Sequence, residues 1–458
     1  MKRKLLFAFL TIFVVVALVG CKPKEKEPVT YDPNGELVDF SARLTPKTEL
    51  EIWIDDQDGV YVEALIAAFN EIYPNVKVTH RHMGSVESED RLKVVGPTGG
   101  GGDIFQFPHD HVATAVTSDL LLALPSNIVD LVNERSLELG VKISTVQYDP
   151  VTKKYGPDSG AIAQLYGLPT SIESVGLYYN KKLITEPHTT MESLLQDAAV
   201  WNAATPEGSS LTNAETGNYY LATSNHWADS YFMQPFYSAY GYTPFGPNLD
   251  DKDNVGLNST AVINALNYFR TILKPATTGT GNHNSVTGGA NFEAGRIPYI
   301  IAGPWNMESY IAAGVDFGVA QFPTININGE AVEMKTFAGA IVTAVYKYAK
   351  NQTDALRWLE FMNSNEAMQL LYDHKNKLPA LKTELLSELK GITDNKELMA
   401  MSKQLETSVP MPTIPEVTHY WGPGETMITN AWNTDTSLAD LAKNAEEAYE
   451  TLVKLGGN

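Results

Sequence analysis

The sequence predicts an α/β protein built as two lobes. Strand-like and helix-like patterns alternate along it, which signals layered strands and helices. With 458 residues, 43% of them hydrophobic, the chain exceeds what one core usually supports, so two cores are expected. Leu168-Pro169-Thr170 marks a boundary, because a proline after an apolar residue favours an extended crossing.

The elements follow in order. Leu50-Glu51-Ile52-Trp53-Ile54 alternates and predicts a strand, and Asp55 to Gly59 a turn. Val62, Leu65, Ile66, Phe69 and Ile72 recur at helical spacing up to Pro74, which ends the helix. Val76-Lys77-Val78 and Asp103 to Phe107 predict strands two and three, and His111 to about Leu122 a helix. Val175, Leu177 and Tyr179 alternate in the next strand. Thr189 and Glu192 have capping-box spacing. Thr260 is expected to cap a helix carrying Val262, Ala265, Leu266, Phe269 and Leu273 on one face. Ile297 to Ala302 predicts an apolar strand leading into Gly303-Pro304-Trp305, and Phe337 to Val345 another. From Thr353 the pattern is mostly helical, broken near Leu378-Pro379 and over Val409 to Pro415.

The start of the chain has a separate pattern. Lys2, Arg3 and Lys4 precede an apolar run from Leu5 to Val19, then Gly20 and Cys21, the only cysteine. The run falls short of the roughly 20 residues that span a bilayer as a helix. This resembles a bacterial lipoprotein signal. The resemblance implies cleavage before Cys21, acylation there, and a protein anchored by lipid on the extracytoplasmic face of the cell membrane. Residues 1–20 are then the signal peptide and 21–47 a flexible tether, too poor in large apolar groups to order itself. Losing residues 1–20 removes three positive charges and no negative one, taking the net charge from −20 to −23. Such a surface repels nucleic acid and anionic lipid headgroups. With one cysteine no intrachain disulfide can form.

Several pieces, in this order, resemble the maltose/maltodextrin-binding proteins and, more broadly, the oligosaccharide-binding proteins of ABC importers. They are Leu50 to Ile54, Gly102-Asp103-Ile104, His109-Asp110, Pro169 to Glu173, Tyr179-Asn180-Lys181, Gly303-Pro304-Trp305, Phe322-Pro323, and Pro412-Thr413-Ile414-Pro415 with Trp421. The resemblance implies a type II periplasmic-binding-protein fold, each lobe a sheet flanked by helices, with the ligand cleft between lobes. Residues 48–170 plus 337–374 would form the first lobe and 171–336 plus 375–458 the second, with crossings near Thr170, Lys335 and Leu378. It further implies a monomer that captures maltose, a maltodextrin or a similar oligosaccharide by lobe closure, performs no catalysis, and delivers the sugar to ABC permease subunits.

A sugar presents hydroxyl groups to carboxylates and amides, and C–H faces to aromatic rings. Trp305 follows a buried strand, where open α/β sheets bind ligands, and matches a stacking tryptophan of the family. Trp421 matches another stacking ring, and Tyr231, or Phe232, a third. Phe107 stands at the place of a family tryptophan, and Asp110 and Glu173 at those of hydroxyl-binding carboxylates. Two positions depart from the maltose binders, with His111 replacing an arginine and Asp58 standing near a lysine. Gln57 takes the adjacent aspartate position. Hydroxyl pairing is expected to differ there.

Two rivals come from other classes. A metal binder would use His80 with His82, or His109 with His111, each pair on one face of a strand, but no third ligand has telling spacing. Asp250 to Asn254 lacks the later residues of a calcium loop and reads as an acidic surface turn. A glycoside hydrolase would use Asp110 and Glu173 as its acid pair. No cofactor is expected: the glycines from Gly99 to Gly102 are not followed by the Lys-Ser or Lys-Thr of a phosphate-binding loop.

Overall fold

The computed structural model describes residues 47–156, 159–277 and 287–456. The signal-like segment, Cys21 and nearly all of the expected tether lie outside the described residues.

The first sheet has six strands. Thr48–Ile54 lies parallel between Val76–His82 and Ile104–Pro108. Phe337–Val345 runs antiparallel to Ile104–Pro108. It also pairs antiparallel with Leu168–Glu173 and, at its start, parallel with Val409–Pro410. All of Phe337–Val345 is buried. A strand enclosed on both faces has no reason to alternate, hence its unbroken apolar sequence.

Leu168-Pro169-Thr170, where a crossing is expected, begins a fully buried strand, Leu168–Glu173. Pro169 lacks an N–H, and the ladder gives way beside it. Ser171 faces Ile341 and Pro169 faces Val342, which leaves Thr170 as an extra residue. The Thr170 hydroxyl lies 2.5 Å from that of Thr343, which also accepts from Gln106 at 2.9 Å. The chain leaves this sheet after Glu173, re-entering at Phe337. The Leu378–Ala380 stretch runs beside it, donating to Thr170 and accepting from Ile172.

Helix Val60–Ile72 buries Tyr61, Val62, Leu65 and Phe69, the face its spacing predicts. The Phe69 ring meets Trp358 at 5.0 Å and Phe361 at 5.7 Å from helix Gln352–Met362. Such pairs contribute about 0.5–1.5 kcal/mol each beyond their burial.

The second sheet runs in the order Phe317–Ala320, Gly176–Asn180, Tyr299–Ala302, Leu221–Thr223. Leu177 and Ile301 face a core shared with helices Ser230–Ala239 and Trp421–Asn433. Tyr178 and Ile300 point to the opposite core with Tyr310 and Phe317. Both faces are therefore covered, as in the first sheet.

Local starts and stops differ from expectation in three places. Thr190, not Thr189, caps helix Met191–Ala203, its hydroxyl accepting from Ser193 N, and Glu192 instead accepts from Asn326 N. Ser259, not Thr260, caps helix Thr260–Tyr268. The helix expected from His111 to Leu122 is a 3-10 turn, His109–His111, then a short helix, Val112–Thr117. Asp119 at φ 60° turns the chain out of it. His109 and His111 therefore do not share a strand face.

One side chain joins the two sheets electrostatically. Helix Asn365–Lys375 ends at Asn376, in the left-handed region at φ 49°. The Lys375 ammonium lies 3.2 Å from Asp56, just past the first strand, and 3.2 Å from Glu308, on helix Met307–Ala312 beside the second sheet. Among the described residues no helix is long and apolar enough to cross a membrane.

Candidate functional site

A cavity of about 500 Å³ opens between the sheets. From the first side come Asp55, Pro108 to Asp110, Glu173 and Gly339 to Ile341. From the second come His226, Asp229 to Tyr231, Trp305, Trp421 and Glu425. Ser85, Val86, Lys377 and Met411 complete the wall.

Trp305 is placed by a strand ending. Tyr299–Ala302 stops at Gly303, and the chain tightens into the turn Pro304–Asn306. A Cβ on Gly303 would lie 2.3 Å from the Trp305 ring, so only glycine lets the indole fold back over the backbone. The ring stays 40% exposed in the cavity wall. Its neighbours are Tyr231 and Phe232, each at 6.3 Å.

Tyr231 opens helix Ser230–Ala239, which Asp229 caps by accepting from the Tyr231 N–H at 2.8 Å and the Phe232 N–H at 3.4 Å. Burial, then the charges of Glu173 and Asp110, push the Tyr231 hydroxyl well above its ordinary pKa. It is therefore a neutral donor facing carboxylates. Trp421 begins helix Trp421–Asn433 and meets Tyr420 at 5.0 Å. One turn on, Glu425 also reaches the cavity, with His226 3.8 Å away.

The carboxylates are held from behind. Glu173 accepts from Ser171 at 3.1 Å and pairs with Lys377 at 2.8 Å, both through one oxygen. That leaves its second oxygen available to a ligand. Asp110 sits in the His109–His111 turn, 6% exposed. His109 accepts from Ala340 N at 3.1 Å through Nδ1, and its Nε2 lies 3.4 Å from the Met411 carbonyl. Burial lowers its pKa against the pull of Asp110, so it is a neutral ring protonated on Nε2. Burial likewise raises the Asp229 carboxyl, although its capped N–H groups pull it down.

Five of the sequence-predicted residues meet at this cavity: Trp305, Trp421, Tyr231, Asp110 and Glu173. Phe107 does not. Strand alternation turns it to the same face as Phe105, and the two rings stack at 4.9 Å inside the core. Gln57 and Asp58 are exposed in the turn after the first strand. Asp58 accepts there from Val60 N, and its neighbour Asp55 lines the cavity. His111 lies behind Asp110 rather than on the wall. Asp229, Glu425, His226 and Lys377 were not expected. Asp229 could have been found as a helix cap, and Glu425 by its one-turn spacing from Trp421. Lys377 and His226 carry no sequence signal. Among the described residues no group of three His, Cys, Asp or Glu side chains is arranged to hold a metal ion.

Two covered sheets with an aromatic and acidic cavity between them define a binding protein of the type II two-lobe class. The chain belongs to the bacterial extracellular solute-binding protein family, whose model matches residues 64–400. It is 26% identical over 460 residues to a galactooligosaccharide-binding protein of Bacillus subtilis (strain 168), covering 98% of this chain and 97% of that one. It is 27% identical over 415 residues to a maltooligosaccharide ABC transporter solute-binding lipoprotein of Streptococcus pneumoniae (strain ATCC BAA-255 / R6), covering 89% and 88%. A cyclo/maltodextrin-binding protein complexed with maltotetraose superposes with a TM-score of 0.70 at 25% identity, over 89% of this chain and 98% of that one. MalX from Streptococcus pneumoniae, in complex with maltopentaose, shares the fold with a TM-score of 0.73 at 23% identity, over 88% and 100%.

Proposed function

We propose that the protein is the receptor of a carbohydrate ABC importer and captures a maltooligosaccharide in the cavity between its sheets. One observation carries the reading: Tyr231, Trp305 and Trp421 share an approximately 500 Å³ space with Asp110 and Glu173. Rings suit the C–H faces of a sugar, and carboxylates suit its hydroxyl pairs. The names of the similar proteins, which bind maltooligosaccharides, maltodextrins or galactooligosaccharide, support the same ligand class.

In this reading residues 48–170 plus 337–374 and residues 171–336 plus 375–458 are the two lobes. The ligand touches both only when they close, so it shifts the population toward the closed form that a permease accepts. The sugar leaves unchanged, with no covalent step. Acylation at Cys21 keeps the monomer at the outer face of the membrane. The Bacillus subtilis relative favours a galactooligosaccharide as the second reading.

Calorimetric titration with maltose, maltotriose, maltotetraose and a galactooligosaccharide tests this. Saturable binding of one glucan series, with the sugar recovered intact, is expected. Binding of the galactooligosaccharide alone selects the second reading, and cleavage of any sugar overturns both.

A further inference from the structure

A carboxyl group buried as deeply as Asp110 has lost hydration that its surroundings must replace. Behind it stands His111, whose Nε2 lies 4.0 Å from Asp110 Oδ2. The other ring nitrogen, Nδ1, faces Glu89 Oε2 at 3.4 Å. Glu89 is itself only 2% exposed, sits on helix Ser85–Val95, and holds Lys93 through Oε1 at 2.7 Å. The order from the half-exposed end to the cavity is therefore lysine, carboxylate, imidazole, carboxylate.

An imidazole between two carboxylates serves both only when both nitrogens carry protons. The neutral ring has one N–H, so it must turn a lone pair toward one of the two anions. We propose that His111 is a positioning residue: as an imidazolium clamped by Glu89, it holds the Asp110 carboxylate in place for the ligand and makes affinity depend on pH. This rests on the reading that a sugar occupies the cavity.

The titratable groups facing the ring are Glu89 and Asp90 from helix Ser85–Val95, Asp110 from its own turn, and His109 beside it. Burial alone would lower the His111 pKa, but Glu89, Asp110 and Asp90 together outweigh it and raise it. A raised value means the pairing is complete below the ordinary imidazole pKa and is lost as pH rises through the folded value.

The test uses the full chain and two readouts. The His111 ring is titrated by NMR in the wild type, Glu89→Gln and Asp110→Asn. Maltotriose affinity is measured from about pH 5 to about pH 9, a range that brackets imidazole titration. The His111 midpoint is expected to fall in both carboxylate variants. Wild-type Kd is expected to weaken by about tenfold across the range. His111→Gln is expected to show the weaker affinity throughout, and His111→Arg to recover it without the pH dependence. A midpoint unmoved by Asp110→Asn, or a wild-type pH profile in His111→Gln, overturns the proposal. If maltotriose fails to bind while the midpoint shifts as expected, the maltooligosaccharide reading fails and the clamp stands.

Discussion

Trp305 is 40% exposed, more than Trp421, the other tryptophan in the cavity wall, and that open ring face is what a sugar can cover. Replacing it with alanine strips the largest apolar plane from the second wall and touches little of either core. Trp305→Ala is expected to cost about 2 kcal/mol of binding or more, roughly 30-fold in Kd, with an unchanged melting temperature. Calorimetry beside a thermal melt separates these, and a lost fold would return Trp305 to the core. Asp56 gives an acid-side prediction. Burial works against its charge, but the Val62 N–H and Lys375 prevail and hold the carboxyl below the usual range. Its stabilisation is thus present above the unfolded carboxyl pKa and lost as pH falls through the lower folded value. Urea midpoints of Asp56→Asn and wild type are expected to converge in acid; a constant gap would contradict this. At this scale the sequence was informative where placement follows from a strand end, as for Trp305. It misled at Phe107, because the identity of a neighbour's ring says nothing about which side of a strand it occupies.

Elements turn local chemistry into placement. The Tyr299–Ala302 strand delivers Trp305 only because Gly303 leaves room for the folded-back indole. Gly303→Ala is expected to displace that ring and weaken sugar binding more than it lowers stability, which Kd and melting temperature measured together would reveal. Ser259→Ala removes the hydroxyl that accepts from Val262 N and is expected to cost about 1 kcal/mol of stability. Thr260→Ala is expected to cost less, and the reverse ranking in denaturant melts would restore the original cap. Long periodic patterns, such as Val60–Ile72 and Phe337–Val345, were legible because burial repeats along them. Cap positions were not, because Thr189 beside Thr190 and Ser259 beside Thr260 offer equivalent hydroxyls one residue apart. Only the tertiary path of the preceding loop decides between them. Asp110 and Glu173 were readable from family register, whereas Lys377 is brought to Glu173 from about two hundred residues away in sequence.

At the scale of the molecule, the two large sheets of the described residues face a common cavity. A ligand that touches both walls binds the native form and not the unfolded chain, so saturating sugar is expected to raise the melting temperature. At a hundredfold excess over Kd the gain is about 2.7 kcal/mol. Lys375 brings a further consequence. Its ammonium is shared by Asp56 on one side and Glu308 on the other, and Glu308 is mostly open to solvent. Separating the sheets would leave the lysine with Asp56 alone, so the triad is expected to favour the narrow form of the empty protein, and less so at high ionic strength. Raising ionic strength, or Glu308→Gln, is expected to swell the unliganded protein in small-angle scattering and leave the sugar-loaded one unchanged. Equal radii under all conditions would show that the triad exerts no such bias. If the radius does respond, the resting shape of the empty protein, and with it how often an empty molecule mimics a loaded one, is set by the saltiness of the surrounding medium.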